Sequence, residues 1–148
     1  MAGIGLRCAQ GLGILWTLPM TLAGLVAGLA ALPFGARMCY SDAAVIFLHY
    51  PWGPGGALTL GNTILFSGHS LDQPALTYQC RAHGGQDRVR IGDHERAHVY
   101  QYLALGLFFL PMYFLCGGIS HENRFEQAAD RYARCGRGWW PWPRPTPD

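Results

Sequence analysis

Two long apolar runs flank a polar middle in this chain. The first carries no charged side chain over residues 8–36. Its core, residues 12–34, is about 23 residues, enough for a helix to cross a hydrocarbon layer of about 30 Å. Trp16, Pro19 and several glycines interrupt it, as membrane helices tolerate. The run exceeds the apolar stretch of a signal peptide, and no small-residue cleavage site follows. It therefore predicts an uncleaved N-terminal transmembrane anchor over residues 1–36. After a polar break at 37–41, residues 43–50 are rich in β-branched and aromatic side chains and predict a strand. Residues 51–56 are a Pro/Gly turn cluster. Residues 57–66 predict a second strand, kinked at Gly61-Asn62, and the two strands should pair as a hairpin.

Residues 67–85 read as irregular. A helix then starts near Asp87 or Asp93, either of which can cap it, and runs into the second apolar stretch, 102–119. Residues 123–134 predict a further helix. The tail, 136–148, is rich in Trp and Pro and cannot be regular helix or strand. Its tryptophans suit a membrane interface, or the tail is disordered. The predicted fold class is a mainly α, membrane-associated protein with a small β-hairpin. A domain over 37–135 lies between the anchor and the tail.

Composition points the same way. Charged residues are 14% and hydrophobic residues 50%, against roughly 25% charged in soluble domains. The net charge is +2, and every basic residue is an arginine. No basic stripe with interleaved aromatics is present, so nucleic acid is not an expected partner. The expected partners are a lipid bilayer and a peptide or protein substrate. The arginine excess after the first run favours a cytoplasmic active-site region, at the inner membrane of a bacterium. Five cysteines at 8, 39, 80, 116 and 135 include no C-x-x-C pair. Free, mostly buried thiols are expected, with a Cys39–Cys80 disulfide as the alternative.

The candidate chemistry lies in His94-Glu95-Arg96-Ala97-His98. Two histidines four apart on a helix share one face, one turn apart, so both imidazoles can reach one metal ion. Glu95 beside them can act on a metal-held water. A catalytic zinc needs a third protein ligand and one open position. Downstream, Glu126 and Asp130 also share a helix face. Glu126 can complete a His₂Glu set, and Asp130 can accept from the far nitrogen of a ligand histidine and fix its tautomer. Gln101 and Tyr102 are weighed as supporting groups, with a solvated or packed role preferred. His121 is a candidate donor to an oxyanion. Taken alone, Asn123 and Glu126 are also an ordinary helix start, with Glu126 reaching back to the cap.

The pairing of H-E-x-x-H with E-x-x-A-D resembles the gluzincin metallopeptidases, particularly their membrane-associated branches. Residues 93–102 and 123–130 are also similar to small bacterial membrane proteins carrying H-E-x-x-H-x-x-Q-Y and N-x-F/Y-E. The resemblance covers residues 57–134, with about twenty specific positions. It implies His94, His98 and Glu126 as zinc ligands and Glu95 as general base. The chain is far shorter than those proteases, and no extra transition-state donor is identifiable. The implied activity is hydrolysis of peptide bonds by a zinc-activated water. The alternative is a catalytically silent zinc-binding or structural integral membrane protein.

The metal hypothesis constrains the second apolar run. A helix over 102–119 would rise about 27 Å and leave His98 and Glu126 on opposite sides of a bilayer. Ligands sit about 2 Å from zinc, so the run must fold back; Gly106, Pro111 and Gly117-Gly118 offer break points, and the turn is expected near Pro111.

Overall fold

The computed structural model describes residues 2–41, 44–53 and 55–142, the side chains of 2–12 and of 14 excepted. The last part of the predicted tail, including Pro143, Arg144 and Pro145, lies outside the described residues. About half of the chain is helical, around a small sheet. Two helical stretches, Leu15–Phe34 and Ile91–Leu115, are long and apolar enough to cross a membrane by length and composition.

Helix α1, Ala2–Ala31, ends where Pro33 enters a 3-10 turn and Gly35 takes φ 99°. Strand β1, Arg37–Ser41, pairs antiparallel with β2, Ala44–Leu48. Strand β3, Ala57–Leu60, pairs antiparallel with β4, Thr63–Phe66, and β4 lies parallel to β2 with Ile46 opposite Ile64. The sheet order is β1-β2-β4-β3, so β3 is an edge strand. The expected hairpin between 43–50 and 57–66 does not form. Gly61-Asn62 is a complete turn, with Gly61 at φ 59°, a pair suited to a two-residue hairpin loop. The stretch 57–66 therefore folds on itself. A Cβ at Gly61 would also lie 2.3 Å from Thr21 Oγ1.

Residues 67–85 hold more structure than their polarity suggests. Strand β5, Pro74–Leu76, pairs antiparallel with β6, Arg88–Arg90. Between them stands the short helix α2, Tyr78–His83, capped by Thr77, whose hydroxyl accepts from the Cys80 N–H. Helix α3, Ile91–Leu105, starts from Arg90 with no side-chain cap. Neither predicted aspartate caps it. Asp87 instead accepts from Arg134 Nε at 2.6 Å, and Asp93 lies in the first turn, 3.6 Å from Arg96.

The chain turns at Gly106, not at Pro111. Gly106 takes φ 55° and ψ −128°, and the Trp16 indole occupies the place where its Cβ would stand. Pro111 sits in the first turn of helix α4, Phe109–Leu115, where a missing N–H costs nothing. Gly117 and Gly118, at φ 113° and 58°, turn the chain back. Helix α5, Arg124–Cys135, then returns along α3, capped by Asn123 and closed by Gly136 at φ 70°.

The layers are α1, the sheet, α3 and α5. Alternation along the strands serves both faces. Phe47 and Thr63 meet α1 at Gly28 and Gly24, while Ala44, Ile46 and Ile64 pack on Val99 of α3. A second cluster, Tyr102, Phe109, Tyr113 and Phe125, fills the turn between α3, α4 and α5. Residues 136–142 fold over it: the Trp142 ring lies 5.6 Å from Phe125, and Arg131 donates to the Gly138 and Trp140 carbonyls. Cys39, Cys80, Cys116 and Cys135 are all free, so no Cys39–Cys80 disulfide forms, and Cys39 and Cys135 are exposed rather than buried.

Candidate metal centre

Helix α3 places His94 and His98 one turn apart, with ring centroids 4.9 Å apart. Helix α5 crosses behind them and brings in Glu126. All three side chains are buried, and together they form a group that could hold a metal ion. His94 Nε2 lies 3.0 Å from Glu126 Oε2 and 3.2 Å from His98 Nε2. His98 Nε2 lies 3.5 Å from Glu126 Oε2. A tetrahedral ion with bonds of about 2.0–2.1 Å has ligand-to-ligand edges of about 3.3–3.4 Å. The three separations bracket that length.

The surrounding groups fix which atoms face inward. His94 Nδ1 lies 2.9 Å from Asp130 Oδ1. A carboxylate only accepts, so Nδ1 carries a proton and Nε2 is the atom that faces Glu126 and His98. Gln101 does the same for His98. Its amide nitrogen donates to the Phe125 and Trp139 carbonyls, which turns Oε1 toward His98 Nδ1 at 2.8 Å. Tyr113 donates its hydroxyl to Glu126 Oε1, leaving Oε2 for the centre. Three atoms able to ligate a metal therefore converge. Burial pulls the His94 pKa down, but its hydrogen bonds to Asp130 and Glu126 outweigh burial and raise it, so a proton on Nε2 bridges to Glu126 Oε2 in the place a cation would take.

Burial pushes the Glu126 carboxyl up, but His98 and His94 beside it outweigh burial and hold it well below the usual carboxylate range. It stands ready as an anion. The alternative in which Glu126 reaches back to its own cap is not adopted: Asn123 accepts from the Phe125 N–H, and Glu126 faces α3.

A cleft of about 140 Å³ opens beside the three groups. Ala57, Leu58 and Thr59 of the edge strand form one wall, and Leu110, Tyr113, Phe114 and Ile119 another. Glu95 lines it too, with Oε2 accepting from the Thr59 hydroxyl at 2.7 Å. Tyr78 of α2 completes the lining. Burial, then the charges of Glu126 and Glu95, push its phenol up to about 12, so it stays a neutral O–H donor.

The structure thus brings together His94, Glu95, His98, Glu126 and Asp130. His121 stands apart from the cleft lining and packs edge-on against His83 at 5.0 Å. Gln101 is fully buried and oriented on His98, neither solvated nor merely packed. Tyr102 is fully buried too, and its hydroxyl has no hydrogen-bond partner among the described residues. Thr59, Tyr78 and Tyr113 carried no motif. No sequence pattern pointed to them, since each reaches the site from a different element. Comparison with protein-family models, with curated proteins and with solved structures finds no match for this chain.

Proposed function

We propose that the chain is a membrane-associated zinc peptidase that hydrolyses peptide bonds in the cleft between β3 and α4. The observation that carries this reading is the convergence of His94 Nε2, His98 Nε2 and Glu126 Oε2 beside a buried carboxylate, Glu95, in one open cleft. Two imidazoles and one carboxylate suit zinc, and three protein ligands leave a fourth position open. Bound there, zinc supplies Lewis acidity toward a carbonyl and lowers the pKa of a coordinated water toward about 7.

The chain's own groups do the rest. Glu95 takes the proton of the attacking water and passes it to the leaving amine. Thr59 holds Glu95 Oε2 and so leaves the other oxygen for that transfer. Tyr78 supplies the hydrogen bond that the oxyanion needs. The outer edge of β3 carries unpaired backbone groups, and an extended peptide adds there as a further strand, which aligns its scissile bond along the cleft.

The test measures zinc content and peptide cleavage together. Wild type should hold one zinc, and His94→Ala or Glu126→Ala should lose it. Glu95→Gln should keep zinc and lose cleavage. Zinc-loaded wild type and Glu95→Gln that both cleave no peptide would reduce the site to metal binding alone.

A further inference from the structure

Helix α1 arranges its side chains by size in the reverse of a helix in water. Gly13, Thr17, Gly24, Gly28 and Ala31 are the buried face. A Cβ at Gly28 would stand 2.2 Å from the Phe47 ring, and one at Gly24 2.7 Å from Thr63, so the small residues let the sheet approach the helix backbone. The large residues point away. Leu15, Leu18, Leu22, Val26 and Leu29 recur at helical spacing on the opposite side, and Leu15 and Val26 are 67% and 68% exposed. A helix bathed in water on that side would place its leucines inward. Trp16 extends the stripe to Phe108, with ring centroids 6.0 Å apart, and Leu107 and Phe108 are exposed beside it. No charged residue falls anywhere in 8–36. The medium on this side is apolar.

The other side of α1 carries an open sheet. Thr17 donates to Asn62 Oδ1 at 2.9 Å, and Thr21 Oγ1 accepts from the Asn62 N–H at 3.0 Å. Further along, Thr63 and Phe47 pack on Gly24 and Gly28. The sheet therefore accompanies α1 over most of residues 17–28. Its outer strands, β1 and β3, present backbone edges, and every residue of β1 is exposed, Arg37 among them. Open sheet edges are not tolerated in hydrocarbon. If α1 crossed the bilayer upright, those edges would cross with it.

We propose that α1 does not cross the membrane but lies along one leaflet, with its outer stripe of large residues in the hydrocarbon and the sheet on its water side. The length that suits a span is then used lengthwise, and the polar side is supplied by the sheet packed on α1 rather than by the helix itself. A second copy of the chain is the competing cover. A paired-helix seam takes its register and partner choice from flanking charges, and this helix has none between 8 and 36. Lipid asks for no register.

Spin labels at Leu15→Cys, Leu22→Cys and Leu29→Cys, with the native cysteines changed to serine, read the depth of α1 in phosphatidylethanolamine–phosphatidylglycerol vesicles. All three positions are exposed, so the labels disturb no packing. A helix lying in plane puts the three at one depth. An upright helix separates successive labels by about 10 Å along the membrane normal, and that result overturns the proposal. A photo-reactive amino acid at the same three positions of the otherwise natural chain gives a readout that keeps every cysteine. Crosslinks to lipid at all three, together with a single label depth, support the proposal. Crosslinks chiefly to a second copy, or labels open to water at all three, overturn it.

Discussion

Gln101 sets the protonation of His98: its Oε1 lies 2.8 Å from His98 Nδ1 while its amide nitrogen is committed to two backbone carbonyls. The amide cannot flip without losing both carbonyl bonds, so His98 has one tautomer and one ring orientation. Gln101→Leu should weaken zinc binding by about 10- to 100-fold, the usual cost of losing an outer partner of a ligand histidine. Competition against a chromophoric chelator measures it. An affinity unchanged by the substitution would mean that Gln101 only packs.

His94 is held by a charge rather than by an amide. Asp130→Asn can still accept from His94 Nδ1 through its carbonyl, whereas Asp130→Ala cannot. Zinc affinity should therefore fall in the order wild type, Asp130→Asn, Asp130→Ala, with the last about 10- to 100-fold below wild type. The same chelator titration decides it, and equal affinities for all three would contradict the orienting role.

Thr59 touches Glu95 and none of the three converging ligand atoms. Thr59→Val should leave zinc affinity as it is and slow peptide cleavage. A hydrogen bond to a charged group contributes about 1.5–3 kcal/mol, which corresponds to a drop of roughly 10- to 150-fold in kcat. Parallel measurement of metal content and turnover separates this effect from loss of the metal.

Tyr78→Phe removes one hydroxyl from the cleft wall and no ligand. If that hydroxyl meets the oxyanion, kcat should fall by about 10²–10³ with little change in KM. A change confined to KM would place Tyr78 in substrate binding instead.

Gly28 tests the contact between α1 and the sheet. Its missing Cβ would stand 2.2 Å from the fully buried Phe47 ring, which has no room to retreat. Gly28→Ala should destabilise the protein by about 1–3 kcal/mol through overpacking. Leu29→Ala, one residue on but facing outward, should shift the unfolding midpoint in detergent far less. Denaturant unfolding of the two variants compares them directly.

Much of the site was legible because it is periodic. His94 and His98 four apart, and Glu126 and Asp130 four apart, each define a helix face, and helix geometry is local. The return of the chain between them was legible by a different route, since ligands of one ion cannot lie on opposite sides of a bilayer. The position of the turn was not. Pro111 is the conspicuous helix breaker, but a first-turn proline breaks nothing, and the turn falls at Gly106, a glycine that takes φ 55° at ease. The parallel pairing of β2 with β4 was equally hidden, because Gly61-Asn62 reads as a kink until Thr21 and Asn62 are known to meet. Thr59, Tyr78 and Tyr113 come from three elements far apart in sequence. No spacing rule connects them, and only the packing of β3, α2 and α4 around α3 does.

Asn123 has a consequence that reaches beyond its helix. One buried amide donates to the Tyr113 and Gly118 carbonyls at 3.0 and 2.6 Å and accepts from the Phe125 N–H at 2.9 Å. It thereby ties the end of α4, the glycine turn and the start of α5 into one knot, and the carboxylate of Glu126 hangs from that knot three residues on. The connection between Gly118 and Asn123 is held by backbone atoms, while Ile119 projects freely at the cleft mouth. The length of this segment is therefore tightly constrained and the identity of Ile119 is not. Under the proposed function, substrate preference can drift at the lip, residue by residue, while Glu126 behind it stays in register.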